Sequence, residues 1–377
     1  MTTVDCYAEQ IGDDKQIVAH YKPAIIYRTN MKRLSLLYVF ILIGFIGLGQ
    51  DSTGKILVDQ LYSNALENDG GENPTRSITV HLPPGYDQST KRYPVIYFLH
   101  GFLSNDTIMS NRFDKLLDKA ITAGKIRPVI IVFPNQYTLY RGSFYSNSTL
   151  TGKWADFTAK DLVTFIDDKY RTIPSHESRG IAGHSMGGQG AVKIGMLFPD
   201  VFSSVYGLSS GIFALVKEFG PNGSAFKQAQ EISTKEELTI GFNEAVANVV
   251  VAMGRTYSPN PLNPPFYADL PFTYVGDSLI INHKVLELWN NNLLIEIVDD
   301  YIENLRKLKA IKIDWGRNDV MEMIPLSNKM FSQKLEKLGI KHYAEEYIGD
   351  HYDKLFTDDG RILNDMFPFF NTYLNFE

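Results

Sequence analysis

The chain has 377 residues, 44% hydrophobic and 21% charged, a globular composition with room for one large α/β domain or two small ones. Its net charge of −6 comes without a long basic run, which disfavours nucleic-acid binding. A single cysteine excludes an intrachain disulfide and any cysteine-rich metal site.

Residues 1–30 show no clear periodicity. Met31-Lys32-Arg33 then supplies a basic start, and Leu34 to Leu48 is almost wholly apolar before Gly49 and Gln50. That layout describes a secretory signal peptide over 31–49. The apolar run is shorter than the roughly 20 residues that span a bilayer comfortably. A short membrane anchor over 34–48 is the alternative. Since an export signal opens a chain, residues 1–30 are expected to be a doubtful extension ahead of a true start at Met31. The product is then expected to be periplasmic or extracellular. Cys6 lies in the extension, so a mature chain from about Gln50 has no cysteine, as suits export.

Further on, residues 77–82 alternate and read as an early strand ended by Pro83-Pro84-Gly85. Tyr93 to Leu99 is near-continuously apolar, as for a strand buried on both faces, with His100-Gly101 at its end. A helix is expected over 113–123, a second buried strand over 128–133, and a helix over 154–170. Ser178 to Ala182 reads as a strand and Gly188 to Met196 as a small-residue helix. Between them stands Gly183-His184-Ser185-Met186-Gly187. This G-x-S-x-G pattern places a serine on a sharp strand-to-helix turn, the nucleophile elbow. Strands follow at 202–208, 310–315 and 341–348, with helices at 325–338 and 361–374. Strands alternating with helices predict a mainly parallel sheet covered on both faces. No internal repeat or low-complexity tract is visible.

Residues 211–305 break this rhythm. Ser258-Pro259-Asn260-Pro261-Leu262-Asn263-Pro264-Pro265 suits neither a helix nor a central strand. The segment reads as an insertion between two core strands. Its helical parts, about 241–253 and 283–308, are expected to form a cap above the serine, the alternative being a peripheral excursion.

A serine hydroxyl needs a base, and the base needs an orienting acid. In α/β-hydrolases the chain order is serine, acid, histidine. Three histidines lie C-terminal to Ser185: His283 in the insertion, His342 at the start of a strand, and His351 on the loop after the last strand. Open α/β sheets build their sites at that carboxyl edge, which favours His351. Asp319 follows the preceding strand and, ahead of Pro325, suits a first helical turn. Asp314, inside the strand, and Glu322 are weaker candidates. The backbone N–H groups of Met186 and Phe102 are the candidate oxyanion donors, with Gly101 allowing close approach and His100 in a structural role. Metal-dependent hydrolysis is disfavoured, because no His-x-x-x-His or similar spacing occurs, and no cofactor is expected. Asn105, Asn147 and Asn222 each begin an Asn-x-Ser/Thr pattern, which matters only where exports are glycosylated.

The strand ending in His100-Gly101, the Gly183–Gly188 segment, Gly316-x-x-Asp319 and Gly349-Asp350-His351 together resemble the esterase-D-like "putative esterase" family of α/β-hydrolases. Feruloyl esterases, enterochelin esterases, S-formylglutathione hydrolases and mycolyltransferases belong to it. The resemblance covers residues 75–375 and implies an α/β-hydrolase fold with Ser185, Asp319 and His351 as triad and Phe102 and Met186 as oxyanion donors. Residues 142–148 and Trp154 are similar to a loop and helix start of exported members, and the Ser-Pro-Asn-Pro stretch to an insertion of some bacterial members. The implied function is an exported serine esterase working through an acyl-enzyme on acyl esters, of sugars or phenolics. Acyl transfer of the mycolyltransferase type and a non-catalytic binding protein on the same fold are the alternatives.

Overall fold

The computed structural model describes residues 53–113, 115–238 and 245–377. The extension and signal or anchor segment expected over 1–30 and 31–49 lie outside the described residues. Eight strands form one sheet: β1 (Lys55–Tyr62), β2 (Thr75–Leu82), β3 (Val95–Leu99), β4 (Ile130–Pro134), β5 (Arg179–His184), β6 (Ser204–Leu208), β7 (Ala310–Gly316) and β8 (Tyr343–Tyr347). Their order is β1-β2-β4-β3-β5-β6-β7-β8. β2 runs against both its neighbours, and every pair from β4 to β8 is parallel. The chain leaves β3 for β4 on one side and returns to β5 on the other. That reversal opens a crevice at the carboxyl ends of β3 and β5, where open α/β sheets bind ligands.

The central strands are apolar because both faces are covered. In β3, Val95, Tyr97 and Leu99 enter one core, while Ile96 and Phe98 enter the other. The first core lies under the helix Met186–Leu197 and the insertion, and the second under the C-terminal helical segment with Phe367 and Phe370. The two cores fix the register, since a one-residue slip would exchange every side chain between them.

The structure departs from the sequence reading in several places. β1 was not foreseen; it is an edge strand whose Ile56, Leu57 and Val58 are exposed, so only its pairing with β2 defines it. The helix expected over 113–123 is present but shorter, Leu116–Thr122, and an unforeseen helix, Asp106–Arg112, precedes it with Phe113 as its C-terminal cap. The helical part expected over 283–308 consists of four short segments, His283–Asn290, Leu294–Ile297, Val298–Tyr301 and Ile302–Lys307. β8 starts at Tyr343, one residue after His342, whose ring Nε2 lies 2.8 Å from Ser332 Oγ. Among the described residues no helix is long and apolar enough to cross a membrane.

Candidate active site

β5 ends at His184, and Ser185 follows with φ 60° and ψ −122°, a left-handed conformation that a non-glycine residue adopts only under constraint. The helix Met186–Leu197 starts at the next residue. The flanking glycines are required by contact: a Cβ on Gly187 would stand 2.0 Å from Leu99 O, and one on Gly183 2.3 Å from Gly187 O. Two backbone bonds hold the turn, from Ser185 N–H to Leu208 O at 3.0 Å and from Gly211 N–H to Ser185 O at 2.8 Å.

The loops after β7 and β8 meet beside this elbow. Asn318 N–H donates to Gly349 O at 3.0 Å and Arg317 N–H to Tyr347 O at 2.9 Å. This stitching brings His351 Nδ1 to 2.7 Å from Asp319 Oδ2, with both side chains buried. Asp319 Oδ1 accepts from Met321 N–H at 3.0 Å. A carboxylate oxygen only accepts, so the His351 proton sits on Nδ1 and Nε2 carries the lone pair. Asp319 lies in the loop, four residues before the helix Met323–Lys337, and not in its first turn as the proximity of Pro325 suggested. The bond to Met321 N–H takes the place of a helical position.

The other carboxylates are committed elsewhere. Asp314 is buried, paired with Arg361, and accepts from Tyr206 OH at 2.8 Å and Ser209 N–H at 3.0 Å. Glu322 pairs with Lys217 at 3.0 Å on the exposed side. His283 begins a helix of the insertion.

Phe102 lies in the turn after β3. Leu103 N–H donates to Arg141 O and Ser104 N–H to Gly101 O, both at 3.2 Å, and these bonds hold the turn that carries Phe102. Met186 N–H is at the first helical position, where no intrahelical acceptor exists. The Phe102 ring and Met186 Sδ both close on Gly142, at 2.7 and 2.5 Å from where its Cβ would be. A Cβ on Gly101 would be 3.4 Å from Ser185 Cβ, so the β3 turn touches the elbow.

His100 is structural in its contacts. Gln136 N–H donates to its Nε2 at 2.9 Å, so Nδ1 carries the proton and donates to Gly101 O at 2.9 Å. Burial pulls its pKa down to about 4, keeping the ring neutral. His184 was not singled out by the sequence reading. Its Nε2–H donates to His351 O at 3.0 Å, and its ring packs tilted against that of His351, with centroids 4.5 Å apart. Burial holds His184 well below the usual histidine range, which leaves it a neutral donor. Its signal was its place next to the serine, where a side chain at the strand end faces the neighbouring loop.

Ser185 opens onto an apolar cleft of about 580 Å³, open solvent included. Phe102, Phe144 and Met321 line it from the sheet side, and Phe219, Val246 and Val249 from the insertion. Such a wall suits the hydrocarbon part of an acyl group.

Comparison with known proteins gives three findings. The family model described as "Putative esterase" matches residues 72–255. An esterase of Mycobacterium tuberculosis strain H37Rv is 35% identical over 154 residues, 40% of this chain and 32% of its own. An endo-1,4-beta-xylanase/feruloyl esterase of Xylanibacter ruminicola is 31% identical over 150 residues, 36% of this chain and 19% of its own. The chain thus spans a third or less of the length of these relatives. Among solved structures, a ferulic acid esterase superposes with TM-score 0.56 at 23% identity, covering 85% of this chain and 99% of its own. An S-formylglutathione hydrolase from Agrobacterium tumefaciens gives TM-score 0.55 at 16% identity, covering 87% and 99%. These superpositions establish the α/β-hydrolase fold that the strand order had indicated.

Proposed function

We propose that this chain, whose residues 72–255 match the "Putative esterase" family model, is a serine carboxylic-ester hydrolase with Ser185, His351 and Asp319 as its triad. The observation that carries this is the Asp319–His351 pair at 2.7 Å, held by loop stitching beside a left-handed elbow serine that opens onto an apolar cleft.

The chemistry follows from the protonation state. His351 Nε2 takes the Ser185 hydroxyl proton as Oγ attacks the ester carbonyl carbon. Asp319 stabilises the imidazolium through Nδ1–H. The Phe102 and Met186 N–H groups donate to the oxyanion, each worth about 2.7–4 kcal/mol of transition-state stabilisation where such a donor has been deleted. His351 then protonates the departing alcohol, leaving an acyl group on Ser185. Water, deprotonated by the same histidine, releases the acid and restores the serine.

The substrate class is an acyl ester with an apolar acyl group, its alcohol a sugar or a phenolic. The apolar cleft supports the acyl half, and the relatives named as feruloyl or ferulic acid esterases support the ester class. Residues 211–305 act as a cap, which Phe219, Val246 and Val249 in the cleft wall favour over a peripheral role. Export through residues 31–49 is part of the same reading; an intact Met1 or Thr2 in the mature native protein would contradict it.

The test is hydrolysis of p-nitrophenyl acetate, butyrate and octanoate by the full chain beside Ser185→Ala, with fluorophosphonate labelling. Turnover and label are both expected to vanish in the variant. A well-folded wild type that neither hydrolyses nor labels points to a binding protein on a hydrolase fold.

A further inference from the structure

One buried cation takes no part in this chemistry. Lys193 lies on the elbow helix Met186–Leu197, two turns beyond Ser185, and only 4% of it is exposed. Its ammonium has three donors, and three acceptors surround it. Ser146 Oγ lies at 2.7 Å, Asn292 Oδ1 at 2.9 Å and Asn292 O at 3.2 Å. The ring of Tyr257 stands 5.4 Å away. These partners come from the 142–148 loop, from the residues after the helix His283–Asn290, and from the end of the helix Ala245–Tyr257.

The contacts lead to the cleft wall. Ser146 Oγ accepts from the lysine ammonium and donates its hydroxyl proton to Phe144 O at 2.8 Å. Phe144 and Tyr145 both hold left-handed backbone, at φ 49° and 50°, which side-chain-bearing residues adopt only when held. The Phe144 ring lines the cleft and packs 6.1 Å from Tyr257. Val246 and Val249, on the same helix as Tyr257, form the facing part of the wall.

We infer that Lys193 is a positioning residue for acyl selectivity: its ammonium clamps the Phe144 loop and the insertion to the elbow helix and so sets the shape of the cleft. This rests on the esterase reading above.

The clamp depends on charge. A neutral amine has two donors and a lone pair, and the lone pair competes with Phe144 O for the Ser146 hydroxyl proton. Burial lowers the Lys193 pKa to about 7, so the change falls within the working range of an enzyme. The surroundings add no compensating charge. In the 142–148 loop the ionisable side chain is the Tyr145 phenol, which burial pushes well up and which donates to His100 O at 2.7 Å; residues 290–294 carry none, and Lys193 is the one charged residue of its own helix. On Ala245–Tyr257, Arg255 donates to Phe266 O and Gly70 O, and burial pushes the Tyr257 phenol up so that it stays neutral.

The readout is the ratio of kcat/KM for p-nitrophenyl butyrate to that for the acetate, measured on the full chain from pH 6 to 9. Ionisation of the catalytic groups is common to both esters and cancels. The wild-type ratio is expected to fall at least threefold with a midpoint near pH 7. In Lys193→Met it should be low and independent of pH, whereas a merely structural lysine would change both esters alike. A wild-type ratio that stays flat overturns the inference, as does a Lys193→Met ratio equal to the wild-type value at pH 6. If the variant does not fold, the wild-type profile decides by itself. Absence of turnover with both esters removes the esterase reading and this inference with it, whereas turnover with a flat ratio removes the inference alone.

Discussion

Replacing Asp319 by Asn tests the orienting role with almost no change of volume. In the structure Oδ1 accepts from Met321 N–H at 3.0 Å and Oδ2 accepts from His351 Nδ1–H at 2.7 Å. An asparagine keeps the first bond with its carbonyl oxygen, which leaves its NH₂ facing His351. Two donors cannot bond each other, so Nδ1 gives up its proton and accepts. The proton then resides on Nε2, and the base has no lone pair for Ser185. The expected loss is about 10⁴ in kcat, or about 5.5 kcal/mol of barrier, the scale of the same change in a serine protease triad. Tm should stay near wild type, since one neutral bond replaces one charged bond. Asp314→Asn is the control. It breaks a buried pair with Arg361, so about 3–5 kcal/mol of stability should go while kcat of the folded fraction stays within a few-fold. Glu322→Gln, on the exposed side, should change neither. Hydrolysis of p-nitrophenyl butyrate together with thermal melts separates the three. The reasoning fails if Asp319→Asn keeps a tenth of wild-type kcat, or if Asp314→Asn loses 10³ with an unchanged melt.

Three further expectations concern the frame around the proposed triad. A Cβ on Gly190 would stand 2.3 Å from Tyr145 Cδ2 and 2.5 Å from its Cγ, and Tyr145 is fully buried with its OH bonded to His100 O at 2.7 Å. Gly190→Ala should therefore cost about 1–3 kcal/mol by overpacking and lower Tm by several degrees, and an unchanged melt would contradict this contact. His184→Phe removes the Nε2–H bond to His351 O, a loss of about 1–3 kcal/mol. Because that carbonyl anchors the proposed base, kcat should fall with KM little changed, and a fall in KM alone would argue against the anchoring role. Acid should destabilise the fold through His100, whose native pKa of about 4 lies below the 6.5 of an unfolded histidine. Between those values the unfolded chain binds more protons, so stability is complete above pH 6.5 and declines as pH falls towards 4, by about 3 kcal/mol. Denaturant melts of wild type and His100→Gln over pH 4–7 measure the difference, and equal slopes would refute the assignment.

The parts of the fold most legible in the sequence were those with dense local signals. β3, β4 and β5 are runs buried on two faces, and the elbow carries its glycines where the backbone leaves no room for a Cβ. The edge strand β1 was not legible, because the consecutive Ile56, Leu57 and Val58 are exposed on both faces and no alternation marks a core side. The insertion was visible as a break in rhythm, but its helical breaks after Asn290 and Ile297 were not, because no proline or glycine stands there. Lys193 sits among small and apolar residues in the elbow helix. Nothing local says that its ammonium would meet Ser146 and Asn292, which lie 47 and 99 residues away in the chain.

The sequence by itself determined the order of chemical parts: a serine on a tight turn, then an acid and a histidine after successive strands. These follow from local sterics and from the alternation of strand and helix, which neighbouring residues specify. Only the tertiary structure decided which acid faces His351. Asp314 and Asp319 are five residues apart on one β7-and-loop segment, and their surroundings separate them. One is enclosed by Arg361, Tyr206 and Ser209, and the other is carried by the stitched loops to His351 Nδ1. The same holds for His184, Phe144 and Lys193, whose contacts come from distant segments. A carboxylate or an ammonium acquires its role from the groups that replace its water, and folding chooses those groups.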